Sequence, residues 1–132
     1  MRIFHSYKEA HEVLNLPGSW QQGTIGSPVT GVSSIKLTAN PKSFDFISKD
    51  LKTIYYVGRG KKASPGEPKD QQKIQDQEMF FTSMKSKTPV TVLVKIKPGL
   101  VFYFGLYRVV AVRRVPGFKD INYFQIKLVA VN

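Results

Sequence analysis

The sequence lacks cysteine altogether and contains only two histidines, His5 and His11. Disulfide bonds and zinc sites built on thiolates are therefore excluded, and two histidines are too few for a His-rich metal centre. No apolar run approaches the length of a membrane-spanning helix, and residues 1–5 lack the apolar segment of a signal peptide. Neither a metal-dependent hydrolase nor a membrane protein is expected, and no cofactor is predicted.

Acidic residues are scarce as well. The 132 residues include 20 Lys and Arg but only 9 Asp and Glu, which gives a formal net charge of +11 and a pI near 10.0. This excess of positive charge predicts a polyanionic partner, nucleic acid before an anionic membrane surface. The length and the hydrophobic fraction of 42% are those of a folded protein, so we expect one domain over residues 1–132.

Two helices are predicted. Ser6 and Glu9 have the spacing of a capping box, in which each side chain satisfies a free backbone N–H at a helix start. This first helix is expected to end at Leu16-Pro17-Gly18, since proline disfavours helical geometry in the residue before it. His11 lies within it and is expected to be a surface or partly buried residue rather than a catalyst. The second helix is predicted from Lys69 to about Met84, with core positions at Phe80, Phe81 and Met84.

Alternating apolar residues between Gly and Pro turns predict several short strands. They span residues 32–37, 43–47, 54–57, 89–97, 100–114 and 121–131. Residues 18–31 are rich in Gly, Ser, Thr, Gln and Pro and predict a long exposed loop, in which Trp20 either anchors the loop to the core or stacks on a ligand. We therefore expect an α+β fold, a mixed barrel-like β-sheet with two short helices packed on it.

Two adjacent tyrosines stand at the end of a predicted strand and before a basic turn, Gly58-Arg59-Gly60-Lys61-Lys62. Neighbouring strand residues face opposite sides, so only one of Tyr55 and Tyr56 can point into a given pocket. An aromatic platform beside cationic loop residues suits a flat, anionic partner. An ordinary tyrosine-rich strand with a solvated loop is the alternative.

Three segments, in the same order, resemble the SRA (SET- and RING-associated, or YDG) domain family. Tyr56-Val57-Gly58-Arg59-Gly60 is similar to the family's aromatic-x-Gly-x-Gly turn. Asp70-Gln71 leads into a helix as in its Asp-Gln motif, and Tyr103 to Val110 resembles Tyr-Asp-Gly-Ile-Tyr-Lys-Val-Val. Upstream, Val29-Thr30-Gly31-Val32 is similar to a loop that contacts DNA in the family.

The chain also departs from these motifs. Phe104 stands where the family's name-giving aspartate is found, and Gln77-Glu78-Met79-Phe80 stands where the Asp-Gln motif ends in Asn-Arg-Ala-Leu. The resemblance is therefore to a divergent, minimal member, more like the modification sensors of microbial restriction systems than like chromatin proteins.

The resemblance implies binding of double-stranded DNA that contains a modified base, above all 5-methyl- or 5-hydroxymethylcytosine. The base would be flipped into an aromatic pocket, and any nuclease activity would lie in another domain or subunit. The chain itself would then be a reading module and not an enzyme. We expect it to be intracellular, cytoplasmic and nucleoid-associated in a microbe.

The resemblance also implies site residues. Tyr56 matches the family's stacking tyrosine, and the opposite wall of the base pocket would come from Phe44 or Phe46. Asp45, with Asp50 as its substitute, could accept a hydrogen bond from the exocyclic amine of cytosine. The remaining pocket positions are Val57 and Gly58; the positions expected to contact the DNA backbone or to form the inserted loop are Val29, Thr30, Arg59, Lys61, Lys62 and Lys69; and the motif positions are Asp70, Gln71, Tyr103, Gly105 and Tyr107.

Two other functions are compatible with parts of the sequence. A basic RNA-binding or protein-interaction barrel would explain the charge and the strands alone. A nuclease of the GIY-YIG type is suggested by Ile54 to Gly60, although that family needs a second aromatic motif and a catalytic glutamate further on, and only one copy of the motif is present.

Overall fold

A computed structural model describes residues 2–21, 23–27, 29–38, 46–58, 71–116 and 122–131. Within these residues there are eight strands and two helices, which confirms the expected sheet with two helices. In chain order the elements are β1 Arg2–Phe4, α1 Tyr7–Leu14, β2 Thr24–Ser27, β3 Gly31–Thr38, β4 Phe46–Ile47, β5 Thr53–Gly58, α2 Gln71–Ser86, β6 Val90–Lys97, β7 Leu100–Pro116 and β8 Asn122–Ala130.

The strands form one mixed sheet. Its order is β2-β3-β6-β7-β8-β5-β4, and β1 pairs with β7 outside this path. The strand pairs are antiparallel except β3 and β6, which are parallel. Parallel neighbours need a crossover connection, and here the chain between them includes β4, β5 and α2.

The main core lies between α2 and the inner face of the sheet. Helix α2 contacts β2, β3, β7 and β8, and it contributes Met79 and Phe80 to a buried apolar cluster with β3, β5, β6, β7 and β8. The predicted core position of Phe80 is confirmed, and Met84 packs against the same cluster from a partly buried position. In the described part of the chain, neither helix combines the length and apolarity needed to cross a bilayer.

Helix α1 and β1 cover part of the outer face of the sheet, where Phe4, Ala10, Leu93 and Val101 form a second buried cluster. The Ser6 half of the predicted capping box is present, since the Ser6 hydroxyl accepts a hydrogen bond from the backbone N–H of Glu9 at 3.1 Å. The Glu9 carboxylate accepts from the backbone N–H of His5 at 3.4 Å. The helix ends at Leu14, earlier than predicted, because Asn15 adopts a left-handed conformation with φ of 51°.

The segment between α1 and β3 is not the uninterrupted loop that its composition predicts. Residues Thr24–Ser27 form β2, which pairs antiparallel with β3. Strand propensity depends strongly on the neighbouring strand, so pairing with β3 overrides a local sequence of Thr, Gly and Ser. Trp20 lies in the remaining part of this segment and is 40% exposed.

His11 is the buried polar residue of α1. Only 7% of its surface is exposed, and neither ring nitrogen has a hydrogen-bond partner among the described residues. Burial, together with the nearby positive charge of Lys36, lowers the pKa of His11 below its usual value. The folded protein therefore favours the neutral imidazole, and the expectation of a surface or partly buried residue is wrong.

We expect the protein to lose stability in mild acid because of His11. Below the usual histidine pKa of about 6.5 the unfolded chain binds a proton that the folded chain resists, so stability falls as the pH falls through that value. The melting temperature, measured from about pH 7.5 to about pH 5.5, should drop less in His11→Gln than in the parent. His5→Gln, which removes an exposed histidine, is the matched control and should melt like the parent; equal drops in all three proteins would contradict the prediction.

Candidate nucleic-acid interface

Tyr56 lies on the inner face of β5 and is held from two sides. Its ring centroid is 5.9 Å from that of Phe80 in α2, with the ring planes tilted by 47°. Its hydroxyl is 3.1 Å from the hydroxyl of Thr24 in β2, within hydrogen-bond distance. The side chain is half-buried. The ring of the predicted stacking residue is therefore held in place by its neighbours, and part of its surface is exposed.

The contact between Thr24 and Tyr56 joins distant parts of the sheet. Strand β2 is at one end of the strand order and β5 is next to the other end. A hydrogen bond between their side chains therefore requires the sheet to curl, as the predicted barrel-like shape implies. Neither Thr24 nor Phe80 could be predicted as a partner of Tyr56, because both contacts are long-range and have no local pattern.

The turn between β2 and β3 presents an exposed apolar tip. Val29 is 86% exposed. The Ser27 hydroxyl accepts a hydrogen bond from the backbone N–H of Thr30 at 3.0 Å, and the two hydroxyls are 2.6 Å apart. Side-chain hydrogen bonds of this kind stabilise a tight turn, so the predicted contact residues Val29 and Thr30 lie on a defined turn.

Helix α2 fixes the base of this turn. Gly31 has φ of +85°, and a Cβ atom at this position would lie 2.5 Å from the Ser83 Oγ. The same Ser83 Oγ accepts a hydrogen bond from the backbone N–H of Val32 at 2.7 Å. Glycine is therefore required at position 31 both for the backbone conformation and for the close approach of the helix.

Phe46 lies on the other face of the sheet from Tyr56. It pairs with Tyr55 across β4 and β5, and the two ring centroids are 6.2 Å apart. Lys127 of β8 places its Nζ 5.9 Å from the Tyr55 centroid. The structure thus brings Phe46 together with Tyr55 and not with Tyr56, while Phe44, the other predicted wall of the base pocket, lies outside the described residues.

Asp50, the substitute for Asp45, has a local role in the turn between β4 and β5. Its Oδ1 accepts hydrogen bonds from the Ser48 hydroxyl at 2.6 Å and from the backbone N–H of Lys52 at 3.0 Å. The bond from Ser48 is the main cause that holds the pKa of this carboxyl below its usual value. The carboxylate therefore stabilises the turn, and Asp45 itself lies outside the described residues.

The third motif, Tyr103 to Val110, lies in β7 and contributes Tyr107 to the main core. Tyr107 is 1% exposed and its hydroxyl donates to the carbonyl of Leu51; burial, and then the charge of Asp50, raises its pKa. Gly105 has φ of +108° and lies beside a register shift between β6 and β7. Tyr103 is partly buried against the second cluster. In the structure, Tyr103 and Tyr107 pack in the two cores and Gly105 lies at an irregularity of strand pairing.

The other predicted site residues are placed only in part. Val57 and Gly58 belong to the end of β5, and Gln71 is the first residue of α2. Among the residues that the structure describes, no group of three or more His, Asp or Glu could hold a metal ion. The predicted positions that lie outside those residues are Phe44, Asp45, Arg59, Lys61, Lys62, Lys69 and Asp70.

The family model of the SAD/SRA domain matches residues 2–132 of the chain. The chain belongs to the SAD/SRA domain family. This confirms the resemblance seen in the motifs, and the match includes the segment from Ile54 to Gly60 that suggested a GIY-YIG nuclease. A search of curated proteins gave no match to the chain.

Solved structures of SRA domains share the fold. The SUVH5 SRA domain in complex with hemi-methylated CG DNA is 25% identical, with a TM-score of 0.74 over 97% of this chain and 85% of that one. The same domain bound to fully hydroxymethylated CG DNA gives 24% identity and a TM-score of 0.73 over 96% of this chain and 85% of that one. The modification-dependent restriction endonuclease TagI is 22% identical, with a TM-score of 0.71 over 97% of this chain and 48% of that one.

We expect the hydrogen bond between Thr24 and Tyr56 to be measurable as a coupling energy. Thr24→Val and Tyr56→Phe each remove one partner while keeping the shape of the side chain, and a part-buried neutral hydrogen bond contributes about 0.5–1.5 kcal/mol. Urea unfolding of the parent, the two single variants and the double variant forms a double-mutant cycle. Strictly additive losses would show that the two hydroxyls do not stabilise the fold together.

Proposed function

We propose that this SRA domain binds double-stranded DNA containing a modified base, 5-methyl- or 5-hydroxymethylcytosine, by flipping the base onto Tyr56. The observation that supports this best is the half-buried ring of Tyr56, which Phe80 and Thr24 hold at the position of the family's stacking tyrosine. The net charge of +11 supplies the general attraction to DNA.

A fixed aromatic ring would offset part of the free-energy cost of base flipping. Extruding a nucleotide costs a few kcal/mol of stacking and pairing, and stacking on an aromatic side chain returns about 1–3 kcal/mol per base. A ring that is already fixed loses little conformational freedom when the base arrives. Tyr56 meets this condition, because its ring packs on α2 and its hydroxyl contacts β2.

The tip of the turn between β2 and β3 would occupy the gap that the flipped base leaves. Proteins that open a base step often insert an apolar side chain into it, and Val29 is the most exposed large apolar residue of the described chain. The turn begins three residues along β2 from Thr24, the partner of Tyr56. The turn and the ring therefore belong to one connected unit, as insertion and flipping at a single base pair would require.

The relatives support the class of ligand. The SUVH5 SRA domain is described in complexes with hemi-methylated and with hydroxymethylated CG DNA. Because TagI is a modification-dependent restriction endonuclease of which the chain covers 48%, we propose that this chain is the reading module of a similar restriction system. Any cleavage would be performed by another domain or subunit, inside a microbial cell.

We expect Tyr56→Ala to lose about 1–3 kcal/mol of affinity for a modified duplex, the value of one stacked base. Tyr56→Phe keeps the ring and should retain most of the affinity. Binding to an unmodified duplex depends on Lys and Arg and should barely change in either variant. The measurement is a titration of matched duplexes containing cytosine, 5-methylcytosine, 5-hydroxymethylcytosine, its glucosylated form or N6-methyladenine.

A fluorescent base analogue at the target position provides an independent signal of flipping. Its emission should change when the parent binds and should stay constant with Tyr56→Ala. If Tyr56→Ala melts like the parent and binds each duplex with the parent's affinity, Tyr56 is only a structural residue and base flipping onto it is refuted.

We expect the affinity for DNA to fall steeply with salt, with a log–log slope of about −0.9 for each phosphate neutralised. Replacing Lys61 and Lys62 together by alanine should make the slope shallower on modified and unmodified duplexes alike, because these lysines would contact phosphates. Lys8→Ala with Lys85→Ala removes the same charge from exposed positions on the two helices and is the matched control. Equal slopes in the two double variants would place the phosphate contacts elsewhere.

A further inference from the structure

Among the described residues, α1 and β1 cover only part of the outer face of the sheet. Beyond them, β4, β5, β7 and β8 present a second surface, here called the outer sheet face, formed by the side chains that alternate with the core. Tyr55 alternates with the buried Ile54, and Lys127 lies between the buried Ile126 and Leu128. The aromatic and cationic residues of this face include Phe46, Tyr55, Arg108, Arg113 and Lys127.

Two aromatic rings lie together on the outer sheet face. Phe46 is 58% exposed, although it is a large apolar side chain. Its ring lies against Tyr55 with a centroid distance of 6.2 Å and a tilt of 50°. An exposed aromatic pair on a sheet is a surface on which a flat, unsaturated group can stack, and Phe46 leaves more than half of its surface available for it.

The charged side chains of this face have one sign. Arg108 pairs with Val129, Lys127 with Ala111, and Arg113 with Gln125, so the cations follow one another along β7 and β8. Lys127 contacts the ring of Tyr55, and the Arg113 Nε donates to Gln125 Oε1 at 3.1 Å. None of the four strands contains Asp or Glu.

The exposed aromatic ring and the cations together favour one class of ligand over others. A row of cations repels a second copy of a chain with a charge of +11 and favours an anionic partner. An acidic peptide would use the cations but would gain no specific contact from the exposed ring of Phe46. A DNA duplex keeps its bases stacked inside, whereas a single strand offers phosphates to cations and unpaired bases to aromatic rings.

We propose that the outer sheet face is a second nucleic-acid site, which binds single-stranded DNA or RNA. Unpaired bases stack on Phe46 and Tyr55, and phosphates contact Arg108, Lys127 and Arg113. This site is separate from the one proposed for the flipped base, because Tyr55 and Tyr56 point to opposite faces of β5. It does not rest on that function and can exist whether or not Tyr56 reads a modified base.

The test uses fluorescently labelled oligonucleotides of ten deoxythymidines or ten uridines, with binding followed by fluorescence anisotropy. Phe46→Ala should weaken binding about ten-fold, as expected for the loss of one base–aromatic stack. Lys127→Gln should make the log–log salt slope shallower by about 0.7, the value for one phosphate of a single strand. Ile3→Ala and Lys8→Gln, at exposed positions on β1 and α1, are the matched controls and should bind like the parent.

A second set of binding measurements distinguishes the two proposed sites. Tyr56→Ala should bind both oligonucleotides like the parent, Phe46→Ala should bind a methylated duplex like the parent, and an excess of methylated duplex should leave part of the oligonucleotide bound. If one oligonucleotide binds more tightly than the other, the result supports the site and shows whether it prefers single-stranded DNA or RNA.

Three results would overturn the second site. The first is no binding of either oligonucleotide by the parent. The second is that Phe46→Ala loses the methylated duplex and not the oligonucleotides, which would make Phe46 a wall of the base pocket. The third is that a poly-glutamate peptide displaces the oligonucleotides while Phe46→Ala changes nothing, which would show a surface for acidic protein segments.

Discussion

The packing of α2 on the inner face of the sheet is the contact on which the candidate site depends. Phe80 and Ser83 are three residues apart and lie on the same side of the helix. Phe80 packs on the ring of Tyr56, and Ser83 binds the backbone of Val32 at the base of the exposed turn. One turn of helix therefore fixes both the ring of Tyr56 and the tip that carries Val29, and a displacement of α2 would move the two together.

The features that could be predicted from the sequence are those set by neighbours along the chain. The Ser6 cap of α1, the long strands β6 and β7, and the core position of Phe80 all have local patterns of three to eight residues, and all are present. Strand β2 has no such pattern. It forms because β3 offers a partner, and a pairing between strands cannot be read from residues 24–27 alone.

For the candidate site too, the sequence predicted features set by neighbouring residues but not those set by strand pairing. Alternation along a strand requires Tyr55 and Tyr56 to face opposite sides, but it does not say which of them faces the core. That choice is made by the pairing of β5 with β8 and by the position of α2. In the same way the pairing of Phe46 with Tyr55 follows from the register of a strand of only two residues, so its face could not be deduced from the spacing of Phe44 and Phe46.

The strand order also affects how the protein reaches its native state in the cell. Ser34 pairs with Thr91 and Thr53 pairs with Val129, so two strands from the first half of the chain have partners in the second half. Contacts this far apart in sequence form slowly, because a long loop must close before they stabilise anything. During synthesis β3 and β5 leave the ribosome before β6 and β8 exist, and unpaired strand edges are prone to aggregation. Strand β8 completes the pairing of β5, so the sheet can close only after residue 130 has been translated.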